Sequence, residues 1–541
     1  MSHPSVMDTL FETLTTTMSP ETLEALQGNL YWMLILGFVI AIFLGVGIGA
    51  NDVANSFGTS VGAKVVSLKQ ACVIATIFEL LGATTIGYKV SDTIRKGIID
   101  VSVYANSPEE YMLGNLAALG GSAIWLLLAT FLKMPISGTH SIVGAVLGFS
   151  LVARGFEGIN FISLAKIVAS WFVSPLLSGI VSSSIFVLIR KWILSKADPI
   201  EPGLASLPFF YGVTLFINVV SIIIDGPDML KISIDGQPDW VGMLIGLFLS
   251  VGIGVLVSIV VYLCVVPRMR KTVMDEITAD NESLENKTMF TVGGGDKTPE
   301  PSDKHHYHPN GNATPEIAIP MEGLSPNSSA VPLIKHNNGN NNASSTLIET
   351  GSSNNSEIIE KQILERNDKD KPGVGKLFSF LQIMTAAFGS FAHGGNDVSN
   401  AIGPLIALWL VYSHGNVQQT AATPILLLVY GGVGISLGLW VWGRRVIKTM
   451  GEDLTKITPS SGFTIEIGAA ITVLCASKMG IPISTTHCKV GSVVSVGYVR
   501  SRNSVDWKLF RNIIFAWLVT VPVSGGLSAM LMMLLKTVSG Y

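Results

Sequence analysis

Long apolar runs, separated by polar segments, recur along the whole 541-residue chain. A bilayer core is about 30 Å thick, so a helix needs about 20 apolar residues to cross it. In lipid the backbone polar groups must be satisfied internally, which leaves helices and closed barrels as the possible spanning structures. Only 13% of the residues are charged, whereas soluble domains average about 25%. We therefore predict an all-α integral membrane protein.

The apolar runs predict about twelve transmembrane helices, and several runs are short or rich in glycine, which predicts broken or re-entrant helices. The runs centre on Leu30–Ala50, Ala71–Tyr88, Leu116–Leu132, Ile136–Leu151, Leu164–Ile189, Phe209–Ile224, Val241–Val266, Leu377–Phe391, Pro424–Trp442, Thr464–Ala476, Ile483–Tyr498 and Asn512–Leu535.

Composition divides the chain into four segments. Residues 1–28 are a polar N-terminal segment, and residues 29–266 and 377–541 are two membrane bundles. Between them, residues 267–376 are rich in Asn, Ser, Thr, Pro and charged side chains. Such a stretch buries too little apolar surface to offset its ordering entropy. We expect it to be a disordered loop.

Basic residues predict which side of the membrane each loop faces, because cytosolic loops are enriched in Lys and Arg. With twelve crossings, one arrangement puts all four basic clusters and the central loop in the cytosol and both termini outside. One mismatch is that Arg95 and Lys96 then lie in an outer loop. The clusters are Arg190–Lys191, Arg268–Lys271, Arg444–Lys448 and Arg500–Arg511.

Two motifs occur twice in the same order. Gly49–Gly58 (Gly-Ala-Asn-Asp-Val-Ala-Asn-Ser-Phe-Gly) recurs as Gly394–Gly403, and Pro135–His140 (Pro-Ile-Ser-Gly-Thr-His) recurs as Pro482–His487. From the Asp of the first motif to the His of the second there are 88 residues in one half and 90 in the other. In the predicted topology the two copies cross the membrane in opposite directions. This is the inverted-repeat plan of secondary transporters, whose sites lie near the midplane between the repeats.

The first motif predicts a cation site. Asp52 and Asp397 lie at the ends of apolar runs, where a bare carboxylate costs at least about 2.5 kcal/mol. The neighbouring glycines would permit unwound backbone, and carboxylate, amide and carbonyl oxygens suit a small hard cation. The alternative is an Asp that caps a helix, but the inverted duplication favours a functional role. The candidate sodium ligands are Asn51, Asp52, Asn55, Asn396, Asp397 and Asn400.

The second motif predicts an anion site. Pro favours a helix start, and Ser and Thr are preferred N-caps. Unpaired N–H groups and the positive dipole end of a helix bind phosphate-like anions. A plain helix cap is the alternative. Because the motifs contain no arginine, an anion would need bound cations, which is the argument for cation coupling. The candidate phosphate ligands are Ser137, Gly138, Thr139, Ser484, Thr485 and Thr486.

Two glutamates and two histidines accompany the motifs. Glu79 and Glu466 lie inside apolar runs, where an acid is a functional candidate, although one that bonds within the bundle is the alternative. We expect His140 and His487 to make fixed hydrogen bonds, since no Cys/His cluster with metal-ligand spacing surrounds them.

Other classes of function find no support in the residues. There is no nucleophile–base pair and no metal cluster, so we expect neither an enzyme nor a cofactor, and sodium as the only metal. A formal net charge of −3 gives no indication of a nucleic-acid partner.

At both motifs the sequence resembles the inorganic phosphate transporter (PiT) family, the type III sodium–phosphate cotransporters. The resemblance covers both membrane bundles and includes Pro-Ile-Ser-Thr-Thr-His-Cys-Lys-Val-Gly-Ser-Val from Pro482. It implies sodium-coupled import of phosphate across the plasma membrane by a multi-pass homodimer in the lipid bilayer. It also implies sodium at Asp52 and Asp397, phosphate at the Ser and Thr residues named above, and importance of Glu79 and Glu466 for transport. The alternatives are a proton-coupled carrier, a carrier of another oxyanion such as sulfate, and a non-transporting receptor.

Overall fold

The structure, a computed structural model, describes residues 20–225, 232, 238–292, 370–443, 446–447, 453–502 and 504–540. These residues are helical apart from short connections and two isolated β-bridges. Contacts divide the chain into a membrane unit, residues 1–273 and 373–541, and a second unit, residues 274–372. The fold and the site below belong to the membrane unit.

The helices fall into two sets, with two apolar helices and one polar helix between them. The first set is α1 Pro20–Gly62, α2 Leu68–Ile86, α3 Tyr88–Lys96, α4 Pro108–Phe131, α5 Gly138–Arg154 and α6 Phe161–Ile189. The intervening helices are α7 Ile200–Asp225, α8 Asp239–Val260 and the polar α9 Val266–Val292. The second set is α10 Pro372–His414, α11 Ile425–Trp442, α12 Pro459–Lys478, α13 Thr485–Arg500 and α14 Trp507–Ser539.

Of the twelve predicted crossings, ten form helices in the described residues that are long and apolar enough to span a bilayer. The runs predicted at Ile136–Leu151 and Ile483–Tyr498 instead form α5 and α13, which have 17 and 16 residues. Non-helical residues 134–137 and 481–484 precede them. The two short helices are therefore the broken elements that the glycine-rich and short runs predict.

The first helix of each set is continuous through its Asn-Asp motif. Both α1 and α10 have 43 residues, which is about 64 Å at 1.5 Å per residue. The prediction that Asp52 and Asp397 lie at helix ends beside unwound backbone is thus wrong. The motif glycines serve close helix packing instead: a Cβ on Gly49 would overlap the carbonyl oxygen of Ile435, and one on Gly394 would overlap that of Glu79.

The two sets, which correspond to the two predicted membrane bundles, interlock. Helix α1 packs on α11, α5 packs on α14, and α6 packs on α13. Helix α2 crosses α10 so closely that a Cβ on Gly82 would overlap the carbonyl oxygen of Phe391. The small residues of each repeat accommodate a helix of the other repeat, which joins the halves through one interior.

The limits of the polar segments differ from the prediction. Helix α9 covers residues 267–292 of the predicted disordered loop, α10 begins at Pro372, and α1 begins at Pro20. Residues 267–292 contain no glycine, and their one proline lies in the first turn of α9, where proline is tolerated. The change in composition therefore marks a polar helix there. Residues 1–19 and 293–369 lie outside the described residues.

Arg95, which disagreed with the charge rule, has a structural role. Its guanidinium donates to the carboxylate of Asp92 at 2.8 Å, to the carbonyl oxygen of Gln419 at 2.7 Å and to that of Ala421 at 3.0 Å. Lys96 also lies 3.4 Å from Asp92. Arg95 and Lys96 are both paired with an acid, which explains the local exception.

Candidate functional site

The short helices α5 and α13 begin at matching serine caps. The backbone of Ser137 is extended, and its Oγ accepts a hydrogen bond from the N–H of His140 at 3.2 Å. Ser484 caps α13 in the same way through the N–H of His487 at 3.1 Å. Both serines are buried. Each serine oxygen thus satisfies one N–H of a first turn, while the positive ends of both helices face the protein interior.

The segments before the two short helices are bonded to each other. Thr139 Oγ1 donates to the carbonyl oxygen of Ile483 at 2.9 Å. Thr486 Oγ1 lies 3.1 Å from the carbonyl oxygen of Ile136. These reciprocal bonds bring the N-termini of α5 and α13 together, as the duplicated motif predicts.

Asp52 lies beside this junction. Its Oδ1 accepts from Asn55 Nδ2 at 3.0 Å and lies 3.1 Å from Thr486 Oγ1. Its Oδ2 is buried and has no hydrogen-bond partner among the described residues. A Cβ on Gly138 would lie 3.5 Å from that oxygen and 3.6 Å from Asn400 Nδ2. Gly138 therefore adjoins both Asp52 of one repeat and Asn400 of the other.

Asp397 has the equivalent position in the second repeat. Thr485 Oγ1 lies 3.2 and 3.3 Å from its two carboxylate oxygens, and Asn396 Nδ2 donates to it at 3.2 Å. Asn400 Nδ2 donates to Thr139 Oγ1 at 3.1 Å. The buried Oδ1 atoms of Asn396 and Asn400 have no partner in the described part of the chain.

Asn51 and Asn396 hold the non-helical segments in place. Asn51 donates to the carbonyl oxygen of Met134 at 3.0 Å and accepts from the N–H of Ile136 at 3.0 Å. Asn396 donates to the carbonyl oxygen of Ile483 at 3.0 Å. The amide oxygen of Asn51 is thus committed to backbone, and Asn55 and Asn400 are the asparagines that contact the motif threonines.

The two predicted glutamates lie next to this centre in separate clusters. Glu79 Oε1 lies 3.4 Å from Ser56 Oγ, which in turn lies 3.4 Å from His393 Nδ1. Glu79 Oε2 is buried and unpartnered among the described residues. Glu466 is fully bonded: it accepts from Thr59 and Ser60 at 2.5 Å, from Thr385 at 2.7 Å and from Gln382 at 3.2 Å.

Sequence reasoning missed Lys489, which donates to Thr59 Oγ1 at 3.0 Å and is buried. The signal was present, since this lysine interrupts an apolar run directly after the second motif, where an ionisable residue is a functional candidate.

The motif histidines pack against two tryptophans. His140 stacks on Trp171 with ring centroids 3.8 Å apart, and His487 stacks on Trp517 at 3.7 Å. The two histidine rings lie 4.4 Å from each other, and His487 Nδ1 lies 3.0 Å from the carbonyl oxygen of Trp171. Such packing agrees with the fixed role that we expect for both histidines.

The centre combines two kinds of binding group. Three buried oxygens have no hydrogen-bond partner among the described residues, and as hard ligands they suit a small cation: Asp52 Oδ2, Asn396 Oδ1 and Asn400 Oδ1. Two opposed helix N-termini, with threonine hydroxyls beside them, suit an oxyanion. Two carboxylates buried there need compensation if they are charged, and bound cations could supply it.

Known proteins share these features. Residues 48–528 match the Phosphate transporter family. "Sodium-dependent phosphate transporter 1-A" of Danio rerio is 45% identical, with 94% of this chain and 95% of the relative covered. "Sodium-dependent phosphate transporter 1" of Homo sapiens is 42% identical, with 94% and 96% covered. A solved structure described as "The sodium-dependent phosphate transporter" superposes with a TM-score of 0.68 at 32% identity, covering 94% of this chain and 99% of the other.

The match therefore extends over both repeats and includes every residue of the centre described above. From this match and from the relatives that cover nearly the whole chain, we conclude that the chain belongs to the phosphate transporter family.

Proposed function

We propose that this protein is a sodium-coupled symporter that imports inorganic phosphate across the plasma membrane. The observation that carries the proposal is the meeting of two helix N-termini, at Thr139 and Thr486, beside the buried carboxylates of Asp52 and Asp397. The names of its relatives, sodium-dependent phosphate transporters, agree with this chemistry.

Sodium is the proposed partner of the carboxylates. Asp52 Oδ2 and Asn400 Oδ1 would bind one ion near Gly138, because both side chains lie beside this glycine. Asp397 with Asn396 Oδ1 would bind a second ion. Carboxylate and amide oxygens are hard ligands appropriate to sodium.

Phosphate is the proposed ligand of the helix N-termini. Its negative charge would add to that of two aspartates, so it binds favourably only when sodium has neutralised them. The first-turn N–H groups of α5 and α13 would donate to its oxygens. The hydroxyls of Thr139, Thr485 and Thr486 would do so by rotating away from the acceptors that they have in this structure. This mutual requirement for charge is the proposed basis of coupling.

The interlocked repeats would provide alternating access, since sites of inverted-repeat transporters lie where one repeat moves against the other. In the proposed orientation both termini are extracellular and the central segment is cytosolic, as the basic clusters indicate. We further propose that the protein functions as a homodimer in the bilayer.

The test is uptake of radiolabelled phosphate into cells that express the protein, in sodium medium and in choline medium. We expect uptake only in sodium medium, saturating with phosphate and not inhibited by excess sulfate. Cells without the protein provide the background. Equal uptake in choline would contradict sodium coupling, stimulation by acid in choline would indicate proton coupling, and block by sulfate would indicate a broader oxyanion carrier. No uptake, with the protein present at the surface, would support a receptor.

A further inference from the structure

Lys489 places a positive charge one helical turn from the proposed phosphate site. It lies on α13, four residues after Thr485, and residues at this spacing share a helix face. Its side chain is 1% exposed. An ammonium group has three N–H donors, and within the described residues Lys489 Nζ makes one hydrogen bond, to Thr59 Oγ1. Two donors of a buried cation are thus available to a ligand.

Glu466 does not use those donors. Its two oxygens receive four hydrogen bonds, from Thr59, Ser60, Gln382 and Thr385. Thr59 donates to the glutamate and accepts from the lysine, so the hydroxyl bridges the two charged groups. Among the described residues, Glu466 and Lys489 do not form an ion pair, which would require a nitrogen–oxygen distance of 4 Å or less. Thr59 therefore positions the Lys489 ammonium group, while two of its N–H donors remain available.

The first repeat has apolar residues at the two positions equivalent to Glu466 and Lys489. Gly121 packs against Ser528 as Gly468 packs against Ser182, so the two glycines occupy equivalent positions in the repeats. Leu119 and Glu466 each lie two residues before these glycines and are therefore counterparts. The duplicated His motif likewise makes Ile142 the counterpart of Lys489. Leu119 and Ile142 are both fully buried in one hydrophobic cluster. Glu466 and Lys489 therefore have no charged equivalents at these two positions of the first repeat.

We propose that Lys489 is a second contact for phosphate, which the anion meets between the central site and the side of the membrane toward which α13 runs. This rests on the proposed function, and in the proposed orientation that side is the cytosol. Lysine binds phosphate as a compact point charge. Thr485 and Lys489 then present successive donors along one helix face, so phosphate leaves the paired N-termini without losing all of its positive partners.

The test measures Lys489→Met in both directions of transport, with right-side-out and inside-out membrane vesicles. Losing a hydrogen bond to a charged group corresponds to roughly a ten- to hundredfold change. For transport toward the Lys489 side, we expect Vmax to fall by that factor without a rise in the phosphate KM. For transport from that side, we expect the KM to rise by the same factor. Both values of Vmax/KM then fall equally, as equilibrium requires.

Three variants separate this role from a structural one. Lys489→Arg keeps the charge and is expected to retain most of the activity. Ile142→Met changes the counterpart position and is expected to leave both directions unchanged. The double variant Lys489→Met with Glu466→Gln removes both charges of the bridge. If the lysine binds phosphate, the double variant still shows the direction-dependent defect.

The outcomes that overturn the proposal are distinct. Wild-type kinetics of Lys489→Met in both directions would exclude a phosphate contact. An equal rise of KM from both sides, or recovery in the double variant, would assign Lys489 to neutralising Glu466. If Lys489→Met is absent from the membrane, the double variant alone decides between these roles. Failure of sodium-dependent uptake by the wild-type protein would instead contradict the proposed function.

Discussion

The centre of the site is alike in the two repeats, whereas its surroundings are not. On both sides a serine caps a short helix, a threonine reaches across to the other repeat, and an aspartate lies beside them. One turn further out the resemblance ends. Close packing of Gly49 and Gly394 makes Ile435 the counterpart of Glu79. The counterparts of Glu466 and Lys489 are the apolar residues Leu119 and Ile142.

This difference separates two requirements of the proposed function. A bound anion and its cations are the same from either side of the membrane, so two equal halves can bind them. Access from the two sides of the membrane differs. The residues around the centre are polar in one repeat and apolar at the equivalent positions of the other, so they can make the two directions of transport unequal. We therefore expect loss of the aspartate or threonine groups in the centre to weaken binding, and substitutions in the surroundings to have smaller or direction-dependent effects.

The largest effect should follow removal of a central charge. Asp52→Asn and Asp397→Asn keep the size of the side chain but remove the partner of a buried cation, which costs about 3–5 kcal/mol. We expect sodium-driven uptake to fall by about a hundredfold or more at equal surface amounts. Both substitutions are measured because the repeats are equivalent here. Normal uptake and sodium dependence in both variants would disprove the sodium assignment.

The next effect concerns the threonine hydroxyls. Thr139→Val and Thr486→Val keep the shape and delete one donor, worth about 1.5–3 kcal/mol to a charged partner. We expect the phosphate KM to rise roughly ten- to a hundredfold in each, with a weaker apparent sodium affinity by linkage.

Ser137→Ala and Ser484→Ala are the matched comparison for the threonines. The serine oxygens accept from helix N–H groups, so their loss should cost about 0.5–2 kcal/mol of stability and reduce the surface amount. We expect the phosphate KM per surface transporter to stay close to wild type. A KM change in the serine variants and none in the threonine variants would reverse these roles.

A smaller effect should distinguish Glu79 from its counterpart. Glu79→Gln removes a buried charge close to Ser56, and we expect uptake to fall roughly tenfold because an intramembrane acid is costly unless it serves function. Ile435→Leu conserves volume and is expected to cost below about 1.5 kcal/mol of stability, with transport per molecule unchanged. Equal losses of uptake in both variants would mean that Glu79 and Ile435 matter only for helix packing.

The smallest effect should come from deleting residues 293–369, which lie outside the described residues. Their composition predicts a linker that contributes little packing energy. We expect uptake within about twofold of wild type, since surface changes away from packed contacts alter stability by about 0.5 kcal/mol or less. A glycan on Asn312 or Asn342 of the native protein would contradict a cytosolic position.

Sequence patterns were sufficient for the features that depend on local chemistry. Apolar runs predict the spanning helices, and Pro-Ile-Ser-x-Thr-His predicts the two capped short helices that meet. Features that depend on tertiary contacts were not predictable. Gly49 could either unwind α1 or admit a neighbouring helix, and the carbonyl oxygen of Ile435 beside it decides for packing. Lys489 gains its meaning from Thr59, which lies 430 positions away in the chain.

The crosswise bonds between the repeats also constrain how the protein is made. Thr139 finds its acceptor at Ile483, and Asn51 holds a segment that ends against Thr486. While the ribosome is still producing the second half, the first half therefore has buried polar groups without partners in the membrane. We expect the completed second half to be the step that releases the protein from quality control, and two separately expressed halves to become stable only when they assemble.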